Sequence, residues 1–345
     1  MKLKMKQANR REFLRRAAAV AGFAALTGCE TKTAGLARPS KTGWIDLQVN
    51  GRYGIAFNSP KITVDEVVSL TERLRAEGTT GYLAAMSTTS AGETQLHTAR
   101  VIAEARCKSA ACAESILGLH LEGPFVSREK GYVGAHNPAM VRDPDIGYID
   151  KVNDACGGLV RVVTIAAEAK GAEDFTRQAT SRGIAVSIGH SAEWRPERIG
   201  ALAEAGAKSF THLGNGLPDL IHRRENVIWT ALAEDRMSIQ FIPDGFHLTL
   251  QMLRVYTRAV PLRRLIAVSD CAYPGGLKPG RYEMGGDVHL LEPDGFIRSL
   301  AGTLHGSSSS MAQVMRILNS SYVGLSEAEC RVVGHDNPLR LIGLA

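Results

Sequence analysis

Eight short apolar runs, six of them closing on a polar or ionisable residue, most constrain this 345-residue chain. They end near Val49, Ser87, Glu122, Ile165, His190, His212, Asp244 and Asp270, and helix-like segments separate them. Thr63-Val-Asp-Glu66 has the form of a capping box, after which Val67, Leu70 and Leu74 recur at helical spacing. Helical periodicity also fits 93–106, 172–182, 196–205 and 249–259. Strands alternating with helices predict a parallel sheet, and eight such units over this length predict an α/β chain folded as a (β/α)8 TIM barrel. A doubly wound open sheet is the competing architecture. It is weakened because no Gly-x-Gly-x-x-Gly follows the first strand.

A hydrophobic content of 44% supports a sizeable core. The net charge of +6 invites a nucleic-acid reading until its location is traced. Up to Cys29 there are seven bases (Lys2, Lys4, Lys6, Arg10, Arg11, Arg15, Arg16) and one acid, Glu12, so this segment carries 7 − 1 = +6. The remainder is formally neutral, and no basic groove for nucleic acid is expected.

The same segment reads as a targeting device. Asn9-Arg-Arg-Glu-Phe-Leu14 is a twin-arginine pattern, followed by an apolar run from Ala17 to Leu26. That run is shorter than the ~20 apolar residues a lasting membrane span needs. It ends in Leu26-Thr-Gly-Cys29, which resembles a bacterial lipobox, in which the cysteine is lipidated and becomes the new N-terminus. Residues 1–29 are therefore expected to be a twin-arginine lipoprotein signal, 30–42 a polar tether and 43–345 the barrel. The expected location is outside the cytoplasm, with contact to membrane through the lipid alone. Five cysteines remain (Cys107, Cys112, Cys156, Cys271, Cys330), an odd number without CxxC spacing, which argues against a disulfide framework or a thiolate metal site.

The chemistry gathers at the strand ends. The third closes as Gly118-Leu-His-Leu-Glu-Gly-Pro124, the fifth as Ser187-Ile-Gly-His190-Ser191 and the sixth as Phe210-Thr-His212. Asp244-Gly-Phe-His247 follows the seventh, and the eighth closes as Val268-Ser-Asp270. A barrel brings all these ends to one face. One such histidine is more often structural than catalytic, but five strand ends delivering His, Asp or Glu to one rim are hard to explain by packing. Glu122, His190 and His212 form the two-imidazole, one-carboxylate set of a catalytic zinc site. A cation there supplies a nucleophilic water at neutral pH. Asp270 is the expected general base, and then the general acid that protonates a leaving amine.

These motifs, together with Gly131-Tyr-Val-Gly-Ala-His-Asn-Pro138, Thr211-His-Leu-Gly-Asn215 and Gly302-Thr-Leu-His-Gly-Ser307, resemble the ordered motifs of the N-acetylglucosamine-6-phosphate deacetylases, which are amidohydrolases. The resemblance runs from Gly43 to Ala345. It implies one divalent ion held by Glu122, His190 and His212, with zinc expected and Fe2+, Co2+ or Mn2+ as alternatives. It further implies Asp270 as acid/base, His136 polarising the acetamide carbonyl and His247 contacting the sugar. Asn215 and Gly216 would face the substrate phosphate. Arg223 matches an arginine that reaches a phosphate across a homodimer interface, against an equally weighted reading as a solvated arginine. Glu168 and Lys170 are read as structural.

Four departures qualify the resemblance. Gln48 and Asn50 stand where two-metal relatives carry a His-x-His pair, which points to a single-metal branch. The segments expected to build the family's small β-sandwich are missing from the pattern. Gly214 and Gly216 suggest a wider sugar pocket. Export sits oddly with a cytosolic sugar phosphate, so an unphosphorylated amino sugar or another amide is the enzymatic alternative. A sugar-binding lipoprotein that has lost catalysis is the alternative outside enzymology. It is disfavoured because Glu122, His190, His212 and Asp270 are all retained.

The N-terminal reading makes one prediction. Cys29→Ser should move the protein from the membrane fraction to the soluble one or block its processing, whereas wild-type protein recovered wholly soluble with Met1 intact contradicts it.

Overall fold

The computed structural model describes residues 40–345, apart from 89–90, 285–286 and 301. The signal and most of the tether lie outside the described residues. The last tether residues are pinned: Ser40 O accepts from His335 Nε2 at 3.0 Å and Lys41 O from Arg331 Nη2 at 2.8 Å.

Eight strands follow in chain order: β1 (Trp44–Val49), β2 (Thr79–Ser87), β3 (Ile116–Phe125), β4 (Val160–Ile165), β5 (Ala185–Ile188), β6 (Ser209–Phe210), β7 (Ser238–Phe241) and β8 (Leu265–Ala267). Each pairs in parallel with the next, in sequence order. All ten residues of β3 are buried, as expected of a parallel strand covered on both faces. The ends of the sheet meet where Cys271 O accepts from Asn50 N (3.0 Å) and Gly51 N (3.2 Å). Deeper in the same seam, the buried Asp46 carboxylate accepts from Ser269 N at 3.1 Å and Ser269 Oγ at 2.5 Å. The result is a near-closed sheet consistent with a (β/α)8 barrel.

Helices cover its outside. They are α1 (Val64–Ala76), α2 (Glu93–Lys108), α3 (Ala110–Ser115), α4 (Ile146–Ala155), α5 (Ala172–Ser181), α6 (Pro196–Ala205), α7 (Val227–Ala233), α8 (Leu250–Ala259) and α9 (Met311–Leu318). The Thr63/Glu66 capping box opens α1, and Val67, Leu70 and Leu74 are its buried face. The expected helices at 93–106, 172–182, 196–205 and 249–259 match α2, α5, α6 and α8 to within two residues. Sequence periodicity missed α3, α4, α7 and α9, of 6, 10, 7 and 8 residues. About two turns, as in α3, α7 and α9, show too few repeats of an apolar face to stand out, whereas α4 is as long as α5, α6 and α8 and its length does not explain the miss.

Inside the sheet, two layers are stacked. Ile45, Leu47, Leu83, Leu117, Val162, Ala185, Ile242, Ile266 and Val268 form one apolar cluster with Leu339, Leu341 and Ile342 of the C-terminal segment. Two residues further along β4 and β5 the inward positions turn polar, at Thr164 and Ser187, as the period of two requires. His120 Nε2 lies 2.8 Å from Thr164 Oγ1, which lies 2.7 Å from Thr211 Oγ1. Ser187 Oγ is 2.7 Å from Thr211 Oγ1 and 2.9 Å from Ser209 Oγ. Burial pushes His120 down to about 4, so it enters this network as a neutral imidazole.

A second, smaller sheet was not foreseen. The chain leaves the barrel after Asp270 and returns at Ser307, where Ser307 N donates to Asp270 O and Ala272 N to Ser307 O, both at 2.9 Å. The excursion holds three antiparallel strands, β9 (Gly280–Met284), β10 (Asp287–Leu291) and β11 (Ile297–Ser299).

The seam between β1 and β8 yields the second prediction. Ser269→Ala leaves the buried Asp46 carboxylate short of a donor, a loss of about 1–3 kcal/mol. A fall in urea midpoint without a change in slope is expected; an unchanged midpoint would show that the seam does not depend on this contact.

Candidate active site

Parallel strands converge at their C-terminal ends, so Glu122 near the end of β3 and the residues just past β5, β6 and β8 become neighbours although up to 148 positions separate them (270 − 122 = 148). Three of these residues have left-handed backbone: His190 (φ 47°), His212 (φ 26°) and Asp270 (φ 51°). Side chains other than glycine rarely accept this conformation, at a cost of order 1–3 kcal/mol each. Here it turns each side chain into one cleft.

Glu122 Oε1 is 2.6 Å from His212 Nε2 and 3.1 Å from His190 Nε2, and all three residues are buried. The hydrogen bonds around them fix where the protons are. His190 Nδ1 faces only a carbonyl, Tyr132 O at 2.9 Å, so it must donate. Nε2 of the neutral ring is then a lone pair pointing at a carboxylate oxygen that also has no proton. Burial, followed by the nearby His136, pushes His190 down to about 4, so a second ring proton cannot relieve the clash at neutral pH. Two acceptors 3.1 Å apart call for a cation between them. Glu122, His190 and His212, with ligand atoms all within 4.8 Å of one another, fit one.

His136 has the complementary tautomer. Its Nδ1 accepts from Thr88 N at 3.2 Å, which places the proton on Nε2, 3.1 Å from His190 Nε2 and 3.8 Å from Glu122 Oε1. The ring therefore offers an N–H to the cleft.

Asp270 sits across from this group, its Oδ1 accepting from Asn50 Nδ2 at 2.6 Å. Burial, then the Glu122 charge, pushes Asp270 up to about 7, with His212, His247 and Asn50 opposing. Glu122 itself is held well below the ordinary range: burial would raise it, but the adjacent His136, His190 and His212 rings prevail. Two carboxylates in one cleft are thus driven apart, one towards permanent charge and the other towards reversible protonation.

The remaining expected residues fall as follows. His247 lines the cleft with Nδ1 donating to Asp244 Oδ2 at 2.7 Å. Asn215 lines it too, tied by Nδ2 to His212 O at 3.1 Å. Gly216 lines the cleft, but a Cβ there would lie 2.5 Å from His190 Nδ1, and the backbone is at φ 61°. A Cβ on Gly214 would meet Leu248 Cδ2 at 2.7 Å. These glycines therefore permit close packing against His190 and Leu248, which corrects the expectation that they widen the sugar pocket. Arg223 is exposed and absent from the cleft lining. Neither Gln48 nor Asn50 joins the ligand cluster, and the buried Gln48 amide has no hydrogen-bond partner among the described residues. Lys170 is exposed, whereas Glu168 accepts from Ser191 Oγ (2.6 Å) and Ala192 N (3.0 Å), steadying the loop after His190.

No protein-family model matches the chain. Pairwise comparison is decisive instead. The chain is 31% identical over 304 residues to the N-acetylglucosamine-6-phosphate deacetylase of Bacillus subtilis (strain 168), covering 88% of this chain and 75% of that one. It belongs to the N-acetylglucosamine-6-phosphate deacetylase family, within the amidohydrolases. The human enzyme of the same name is 33% identical over 315 residues, covering 88% of this chain and 74% of its own. Among solved structures, a mutant N-acetyl-D-glucosamine-6-phosphate deacetylase from Mycobacterium smegmatis, in complex with N-acetyl-D-glucosamine-6-phosphate, superposes with a TM-score of 0.78. It is 30% identical, with 88% of this chain and 77% of that chain covered.

The close approach of Gly216 to His190 is testable. Gly216→Ala should displace the ring and weaken metal retention by roughly 10–100-fold, the usual effect of disturbing a residue that orients a ligand. Chelator competition followed by elemental analysis reads this; undiminished retention with an intact circular dichroism spectrum would refute it.

Proposed function

We propose that this member of the family hydrolyses the acetamide of an N-acetyl amino sugar, with N-acetylglucosamine 6-phosphate as the default substrate, releasing acetate and glucosamine 6-phosphate. The observation carrying this reading is the buried Glu122–His190–His212 cluster, in which the His190 lone pair faces the Glu122 carboxylate, with a titratable carboxylate and an imidazole N–H facing it. Two imidazoles and a carboxylate suit one Zn2+. When bound, the cation supplies the Lewis acidity that makes a water nucleophilic at neutral pH.

The chain's own residues account for the proton. Asp270 takes it from the attacking water as the new C–O bond forms. His136 Nε2–H donates to the acetamide oxygen as negative charge builds there. Asp270 then passes the proton to the nitrogen as the C–N bond breaks, so the amine leaves neutral, and the acetic acid that carries the second oxygen releases its remaining proton to solvent as acetate. His247 and Asn215 contact the sugar and its phosphate. Arg223 lies outside the cleft on an exposed loop with Leu220 and near Trp229 in sequence, both also exposed, which favours its action on the phosphate of a second subunit's site in a homodimer. The N-terminal pattern supports export and lipid anchoring.

Asp270→Asn should keep its metal yet lose ~10²–10⁴-fold in acetate release, because an amide cannot take the water's proton. Elemental analysis should find one divalent ion per chain. Near-wild-type turnover would remove Asp270 from the reaction, and two ions of equal occupancy would overturn the single-metal reading.

A further inference from the structure

The cleft is larger than its proposed substrate. Its volume is about 1180 Å3, whereas pockets for drug-sized ligands run to roughly 300–1,000 Å3 and a single amino-sugar phosphate is a small ligand. The metal-binding cluster occupies one wall. The opposite wall comes from the segment that leaves the barrel at Asp270 and returns at Ser307, so it is anchored to the backbone of the acid/base residue itself.

That wall differs in chemistry from the first. Its cleft-lining side chains are Tyr273, His289, Phe296, Thr303, Leu304 and His305, with no charged group among the described residues. The rings stand against one another: Tyr273 and His289 at 4.9 Å, His289 and His305 at 4.0 Å, and Phe296 against Phe246 at 5.6 Å. Each pair is steeply inclined, which holds the faces in place. His289 is 2% exposed, and its Nδ1 is buried without a hydrogen-bond partner among the described residues. A native fold seldom keeps an unpaired buried group without a use for it. Burial, and then the neighbouring His305, pushes His289 down to about 4, so this buried ring is neutral at physiological pH.

A wall of rings without Lys or Arg has no permanent cation to pair with a phosphate or a carboxylate. It suits an uncharged, hydroxyl-bearing ring, whose C–H edges carry partial positive charge and rest on the negative faces of aromatic rings. We propose that Phe246, Phe296 and His305, backed by the buried Tyr273 and His289, form a second subsite that seats a further sugar ring joined to the amino sugar whose acetamide is cut. The substrate class is thus an N-acetyl amino sugar within a short glycan. The inference rests on the deacetylase reading for which ring reacts, but the subsite can be tested apart from it.

The test uses the metal-loaded full chain with two probes: N-acetylglucosamine 6-phosphate, and the β-1,4-linked dimer of N-acetylglucosamine phosphorylated on its non-reducing ring. Calorimetry should show the dimer binding about tenfold more tightly, the equivalent of one good ring contact. Phe296→Ala should erase most of that advantage and leave kcat/KM for the monosaccharide unchanged, and His305→Ala should do the same from the other side of the wall. Equal binding of both probes by the wild-type protein would overturn the subsite, whatever the variants do. So would variants that weaken both probes alike. Preferential dimer binding without acetate release from either probe would sustain the subsite and remove the deacetylase reading. Acetate release from both with no dimer preference would do the reverse.

Discussion

The carboxylate of Glu122 is the constraint on which the rest of this structure depends. A buried charge is costly unless it is met by donors or a cation. It lies near the end of β3, the longest strand of the barrel and buried throughout. Its partners can reach it only from β5 and β6, and only if His190 and His212 take backbone conformations that their side chains disfavour. Gly134 and Gly216 bring backbone close to the His190 ring, leaving no room for a Cβ. The polar layer of Thr164, Ser187, Ser209 and Thr211 beneath the cluster ties β4, β5 and β6 together at the level where this matters. Local strain is thus tolerated because the surrounding contacts over-determine it.

The proton arrangement follows from backbone groups. Tyr132 O sets the tautomer of His190 and Thr88 N that of His136, so two imidazoles 3.1 Å apart present opposite faces: one a lone pair, the other a proton. Asp270 is pushed up by the same burial that Glu122 resists through its three histidines. Division of labour between two carboxylates therefore comes from their hydrogen-bond partners, since both are side-chain carboxyls of similar intrinsic acidity.

The two walls of the cleft answer different demands. The barrel wall concentrates charge and lone pairs, and the excursion between Asp270 and Ser307 supplies rings without charge. Because Ser307 bonds to Asp270 O, the second wall is placed by the strand end that carries the acid/base.

Much of this was legible in the sequence, because a barrel turns strand ends into neighbours by topology alone. Once eight apolar runs alternate with helices, Glu122, His190, His212 and Asp270 must share a rim, and no contact need be known to say so. The capping box at Thr63 and the apolar face of α1 were equally plain, since both are local. Other features required the folded chain. Backbone donors and acceptors such as Thr88 N and Tyr132 O have no sequence signature, because every residue carries them. Gly214 and Gly216 read as an opened pocket, yet their missing Cβ atoms would point at Leu248 and His190, a direction that only φ and the packing define. The ring-lined wall was invisible because Phe246, His289, Phe296 and His305 lie on separate turns and strands. The sequence by itself determined the strand count, the rim and the ionisable groups on it. Tertiary structure decided which nitrogen carries each proton, which glycine is indispensable and what faces the metal cluster, because these depend on distances between residues far apart in the chain.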